Sequence, residues 1–196
     1  MDVDQTHFDT LADTLLYCYR VAGAVGLMMA SVFGTRDADT LDRACDLGIT
    51  FQPTNIARDV IKDAAVGRID LPAQWLAAAG IPMDQLAHPA HRRALAAVAA
   101  RLVATADPYY ASAIPGIGAL PFRSAWSVAT ARGAYRAIGR QVEQRGPRAW
   151  DQRACTSSFA KLWFTARGAA VAVAAKTRVS NPRADHLWQR PRQQGG

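Results

Sequence analysis

An all-α bundle is the fold class the sequence predicts, on three observations. Half of the 196 residues are hydrophobic and alanine is abundant, with few β-branched runs. That composition favours helices. Apolar residues recur at helical spacing, as at Leu95, Val98, Leu102 and Ala106. Polar residues keep the same period: Gln52, Asn55, Asp59 and Asp63 fall on one narrow arc of a helix turning about 100° per residue. The length fits one domain with a proper core, and neither an internal repeat nor a second domain is evident.

Taken in order, Thr6 or Asp9 caps a first helix that runs to about residue 33 and stops at Gly34. Gly23 and Gly26 inside it each cost about 1 kcal/mol against alanine. Something must offset that, and the usual reason is close approach of another helix or of a ligand. The next helix spans about 39–65 and carries the acidic arc. Pro53 within it removes a backbone hydrogen bond at about 3 kcal/mol, which predicts a kink or break near residues 49–51. Pro72 opens a short helix ended by Gly80. Helical spacing over 90–106 stops at Pro108, and Pro115-Gly-Ile-Gly118 reads as a turn-rich loop. A helix over 121–145 ends at Gly146-Pro147 with arginine in its last turn, as the macrodipole favours. Residues 149–153 read as a loop and 157–176 as the last helix. The domain spans 1–179, and 180–196, rich in Pro, Arg, Gln and Gly, read as a disordered tail.

Composition narrows the function classes. The net charge is +7, nearly all of the positive charge being arginine. Such a balance suits phosphate-bearing substrates, anionic membranes or nucleic acid. No basic block is interleaved with aromatics, so the nucleic-acid reading is set aside. Cys18, Cys45 and Cys155 have neither metal spacing nor a disulfide pattern and read as buried thiols in a reducing cytosol. His7, His88, His91 and His186 form no zinc pattern. No signal-peptide pattern opens the sequence. The uncharged stretches 21–35 and 168–175 are too short for a span, so any membrane contact is peripheral.

The acidic arc carries the chemistry. Asp59 and Asp63 are i,i+4 neighbours whose carboxylates lie one above the other. With the amides of Asn55 and Gln52 they form a hard, oxygen-rich surface of the kind Mg²⁺ prefers. A bare Asp-x-x-x-Asp is more often a solvated acidic face. The two amides on the arc, and Arg58 beside Asp59, set this one apart.

The stretch Gln52-x-x-Asn-Ile-x-Arg-Asp-Val-x-x-Asp63, followed by Gly67-Arg68 and Leu71-Pro72, resembles the second aspartate-rich motif of the squalene/phytoene synthase family. Leu-Pro-Ala-Gln-Trp-Leu at 71–76 and Leu-Trp-Gln-Arg-Pro at 187–191 are similar to its bacterial phytoene synthase branch. Tyr17-x-Tyr-x-Val-Ala-Gly-x-Val-Gly26 resembles another family motif, and the segment around Tyr135 a third.

The resemblance implies an isoprenoid-synthase-type helical bundle and an Mg²⁺-dependent prenyl transferase, Mn²⁺ being the alternative ion. Two geranylgeranyl diphosphates would condense head to head to phytoene through prephytoene diphosphate. Asn55, Asp59 and Asp63 would hold metal, with Gln52 on the same face. Arg58, Arg68, Arg153 and Lys161 would meet substrate phosphate, although a surface cation is the competing reading for Arg153 and Lys161. Tyr17 and Tyr135 would flank the reacting centre. Val21, Ala22, Val25, Gly26 and Phe51 would line the prenyl pocket. The implied partner is a prenyl diphosphate and the setting cytoplasmic, peripheral at the inner membrane; oligomeric state stays open.

Three residues depart from the family pattern: Pro53 where Leu is usual, Lys62 where an acid is common, and Asp70 where an aromatic is common. The family's first aspartate-rich motif has no match, and Met1-Asp2 matches an internal Met-Asp. The expectation is therefore a bundle lacking its N-terminal helices and inactive by itself. Asp9 and Asp13 read as helix-start acids. The alternatives are a squalene or dehydrosqualene synthase, and a non-catalytic helical remnant that binds isoprenoid or a partner protein.

Overall fold

The computed structural model describes residues 8–177 and 181–191, and among these it is helical with no strand. Helix α1, Leu11–Cys18, opens on a capping box: Thr10 Oγ1 accepts the Asp13 N–H at 3.3 Å and the Asp13 carboxylate accepts the Thr10 N–H at 2.9 Å. Asp13 is thus a helix-start acid. The cap is Thr10 rather than the expected Asp9, one residue earlier, and Thr6, the other candidate, lies outside the described residues, as does Met1-Asp2. One π-helical turn, Tyr19–Gly23, joins α1 to α2, Ala24–Val32. Glycine 34, at φ +89°, turns the chain back.

Helix α3, Ala38–Ala64, is the central element, capped by Asp37, whose carboxylate accepts the Thr40 N–H at 2.8 Å. It packs on α2, on α5 (Arg92–Gly118) and on α6 (Phe122–Arg145). The short α4, Ala73–Ala78, lies between α3 and α5 in sequence and ends before Gly80 at φ +66°. Helix α7, Ser158–Thr177, packs on α6 and α5. The main core gathers Leu15, Ile49, Ile56, Leu76, Leu95 and Leu102 from α1, α3, α4 and α5.

Three expected interruptions do not occur. Helix α3 runs through Pro53 without a break. The hydroxyls of Thr50 and Thr54 donate to carbonyls of Leu47 and Thr50 in the surrounding turns, and Thr50, Pro53, Thr54 and Ile56 are all buried. Helix α5 likewise runs through Pro108 and Pro115. The expected loop at 115–118 is its last turn. The glycines there serve close approach: a Cβ at Gly118 would stand 2.4 Å from the Ala175 carbonyl oxygen of α7, and one at Gly116 would stand 2.8 Å from Arg43 Cβ.

Backbone contact also joins α2 to α3. A Cβ at Gly26 would sit 2.4 Å from the Ala44 oxygen, and one at Gly48 the same distance from the Ala22 oxygen. This is the close approach that the glycines of the first helix foretell. Gly48→Ala is expected to cost about 1–3 kcal/mol through overpacking. A lower denaturation midpoint at unchanged denaturant slope is the measurement.

Residues 181–191 form a strap on α3 and α5 where a disordered tail is expected. Arg183 makes two bonds to the Asp46 carboxylate, at 2.8 and 2.7 Å, and Arg190 pairs with Asp42. Leu187 is buried, the Trp188 N–H donates to the Tyr109 hydroxyl at 3.0 Å, and the Trp188 ring lies 5.1 Å from Tyr19. The fully buried Asp46 carboxylate is the physical reason, because it needs a counter-charge. Residues 192–196 lie outside the described part.

Cys18 and Cys45 are buried, as expected, whereas Cys155 is exposed in the loop before α7. Burial pushes the Cys45 thiol up to about 12 and raises Cys18 as well. At pH 8 a thiol reagent is therefore expected to label Cys155 alone, and all three cysteines after denaturation, as counted by mass spectrometry.

Candidate active site

The acidic arc of α3 emerges beside a cluster of arginines. The Asp59 carboxylate is bracketed: Arg153 donates Nε to Oδ1 at 2.9 Å and Nη2 to Oδ2 at 3.0 Å, while Arg58 donates Nε and Nη2 to Oδ2. Desolvation pushes the Asp59 carboxyl up, but the bonds from Arg153 and Arg58 outweigh it and hold it at about 2. One turn on, Asp63 accepts from Arg68 Nη2 at 3.1 Å, and Arg68 Nε reaches Asp70 at 3.0 Å. Asn55 donates to Gln52 at 3.3 Å, so Pro53 leaves Gln52 on the arc.

Arg153 sits in the loop 149–157. Ala149 and Ala154 are buried on either side of it, and Trp150 Nε1 donates to the Ala57 carbonyl at 3.0 Å. That anchor fixes the loop against α3 one half-turn from Asp59. Lys161 is exposed in the first turn of α7 and makes no ion pair with Asp59 or Asp63 among the described residues.

Gln52 and Asn55 also form the polar end of a cavity of about 450 Å³. Val21, Ala22, Val25 and Gly26 line it from the π-turn and α2, Phe51 from α3 and Tyr135 from α6. The Phe51 and Tyr135 rings stack at 4.3 Å. From there the cavity follows α3 down to Thr40, where Phe33 and Leu120 border it. Fifteen residues of helix make that path about 22 Å long. Its outer side is open, and Val21, Val25 and Met29 are nearly half exposed.

Tyr17 stands outside this cavity, facing Gln52, Arg68 and Asp70. Desolvation, then the Asp70 charge, raises its hydroxyl above the ordinary range. Sequence reasoning names Asp70 only as a departure from pattern. In the fold it is a nearly buried acid whose carboxyl is raised by desolvation, partly offset by Arg68, and it ties Arg68 to the site. The one signal available was an acid two residues after an arginine that itself follows the motif.

The donor set suits a hard cation in a limited way. Asn55, Asp59 and Asp63 offer only oxygen, which fits Mg²⁺. Among the described residues no three carboxylate, histidine or cysteine side chains converge. Any such ion would complete its shell with water and phosphate rather than with a closed protein cage.

The squalene/phytoene synthase family matches residues 1–160. A 15-cis-phytoene synthase of Enterobacter agglomerans is 54% identical over 191 residues, covering 97% of this chain and 65% of that one. One from Pantoea ananas is 52% identical, covering 97% and 62%. A dehydrosqualene synthase solved with a ligand superposes with a TM-score of 0.77 at 26% identity, over 89% of this chain and 62% of that one. The chain thus spans under two thirds of the length of these relatives. Its motif, its helical fold and these matches agree, and the chain belongs to the squalene/phytoene synthase family.

Proposed function

We propose that this chain carries the second metal-binding helix and the prenyl pocket of a phytoene synthase. Two geranylgeranyl diphosphates join head to head through prephytoene diphosphate, giving phytoene, two diphosphates and two protons, one lost as the cyclopropane closes and one as the final alkene forms. The observation that carries the reading is the apolar cavity lined at one end by Gln52 and Asn55, which share their arc of α3 with Asp59 and its arginines. Its span along α3 is long enough for a C20 chain. At roughly 1.25 Å per bond an extended geranylgeranyl tail runs about 19 Å and a farnesyl tail about 14 Å, against the cavity's path of about 22 Å.

Asn55, Asp59 and Asp63 are the residues that would hold Mg²⁺, with Mn²⁺ as the alternative. The bound ion supplies Lewis-acid stabilisation of the departing diphosphate. Arg58, Arg68 and Arg153 add positive charge to the same leaving group, and Lys161 lies on the helix that follows. Tyr135, stacked on Phe51, offers a π face to an allylic cation at the polar end. Tyr17 orients Gln52 from the opposite side. Val21, Ala22, Val25 and Gly26 keep water from the tail. The reading carries with it a cytoplasmic protein in peripheral contact with the inner membrane, from which so apolar a substrate is drawn.

A second reading is isoprenoid binding without turnover. It draws on the open side of the cavity and on carboxylates from a single helix at its mouth. The test compares the 196-residue polypeptide with a chimera in which it replaces the matching 191 residues of the Enterobacter agglomerans relative. Both receive geranylgeranyl diphosphate and Mg²⁺. Phytoene from the chimera and none from the short polypeptide is the expected result. A soluble, helical chimera that makes none would remove the catalytic reading.

A further inference from the structure

We propose that Arg153 is a latch that makes cation binding at Asp59 conditional on diphosphate. The inference rests on the metal and phosphate roles given above, and concerns the order in which the two arrive.

Every acceptor position facing the arginines on the Asp59 carboxylate is in use. Oδ1 takes the Arg153 Nε–H at 2.9 Å, and Oδ2 takes Arg153 Nη2 and both donors of Arg58. A cation bound to this carboxylate has to share it with two guanidinium charges. The two arginines differ in freedom. Arg58 is on α3 itself, its side chain is 14% exposed, and it touches Oδ2 alone. Arg153 is 60% exposed, projects from a loop, and is the residue that occupies Oδ1. Moving Arg153 therefore frees one whole oxygen while Arg58 stays in place.

The backbone around Arg153 does not have to move. Ala149 and Ala154 are buried, and the Trp150–Ala57 hydrogen bond pins the loop to α3. Only the long side chain swings. A diphosphate arriving at the cavity mouth offers the same bidentate geometry as the carboxylate with more negative charge. It draws the guanidinium off Asp59, and the freed Oδ1 becomes a cation ligand. Asp63 has no such lock, because Arg68 takes only one of its oxygens. The coupling is reciprocal: the cation must improve diphosphate binding by the same factor that diphosphate improves cation binding.

The experiment measures Mn²⁺ binding by electron paramagnetic resonance, with inorganic pyrophosphate absent or present. It uses the 196-residue chain and its Arg153→Gln and Arg153→Lys variants. Circular dichroism confirms that each is folded, which the exposure of Arg153 favours. The parent is expected to bind Mn²⁺ weakly alone and at least about tenfold more tightly with pyrophosphate, the size of an ordinary coupling between sites. Arg153→Gln is expected to bind Mn²⁺ alone about tenfold more tightly than the parent and to lose most of the pyrophosphate enhancement. Arg153→Lys should fall between, since an ammonium pairs but does not bracket both oxygens. If Arg153→Gln matches the parent in both conditions while the enhancement persists, the latch is wrong and the metal assignment stands. If no protein binds Mn²⁺ in either condition, the metal assignment fails and takes the latch with it.

Discussion

Asp59→Ala, placed in the chimera that makes phytoene, is expected to lower turnover by about 10²–10³-fold or more, the scale on which loss of one charge-stabilising group acts at a reacting centre. The side chain is the meeting point of α3, Arg58 and Arg153. Its removal would delete the proposed cation ligand and also leave two guanidiniums facing each other without a counter-charge. Asp59→Asn separates the two effects, since it keeps the shape and hydrogen-bonding oxygen while removing the charge. Both variants should retain helical circular dichroism, and raising Mg²⁺ should restore the amide variant only in part. Turnover of Asp59→Ala within a few-fold of the parent at saturating Mg²⁺ would remove Asp59 from the proposed metal site.

Arg183→Ala is expected to be the most destabilising single change outside the active site, at about 3–5 kcal/mol. It leaves the carboxylate of Asp46, which has no solvent exposure, with Ser112 Oγ as its remaining side-chain partner. Arg183 also donates to the Trp188 carbonyl, so the strap loses its anchor at the same time. Pairing the change with Asp46→Asn should recover a large part of the loss, because the cost lies in the stranded charge. Guanidinium unfolding of the parent, the two single variants and the double variant measures the coupling. Additive losses in that cycle would contradict the buried pair as the source.

The helices and the acidic arc were legible because both are local and periodic. Gln52, Asn55, Asp59 and Asp63 share a face whatever the rest of the chain does, and Val21, Ala22 and Val25 do line the cavity with Phe51 and Tyr135. The prolines misled for a physical reason. A local cost of about 3 kcal/mol predicts a break, yet Pro53, Pro108 and Pro115 all lie inside continuous helices packed on more than one side. Tertiary burial outweighs the local term, and no window of sequence contains it. The π-turn at Tyr19–Gly23 had no sequence signal beyond its glycine. The strap was hidden by its composition. Arg183 and Arg190 look solvated among Pro and Gln, and their partners Asp46 and Asp42 are 137 and 148 residues away. Asp70 was visible as an oddity, but its role needs Arg68 and Tyr17 brought to the same corner.

The strap also sets a timetable for the nascent chain. Asp46 is made 137 residues before Arg183, which at ordinary synthesis rates is roughly 7–27 s earlier. Through that interval α3 exists without the charge that lets its central carboxylate leave water. The helix can form and can meet α2, but burial of Asp46 against α5 stays uphill until residues 181–191 emerge. Such a long-range closure is the slow kind, since loop entropy is lost before the contact repays it. The final consolidation of the bundle therefore waits for synthesis of the strap rather than for synthesis of its core. A ribosome-stalled chain ending before Arg183 should remain protease-sensitive in α3, whereas one extended past Arg190 should not.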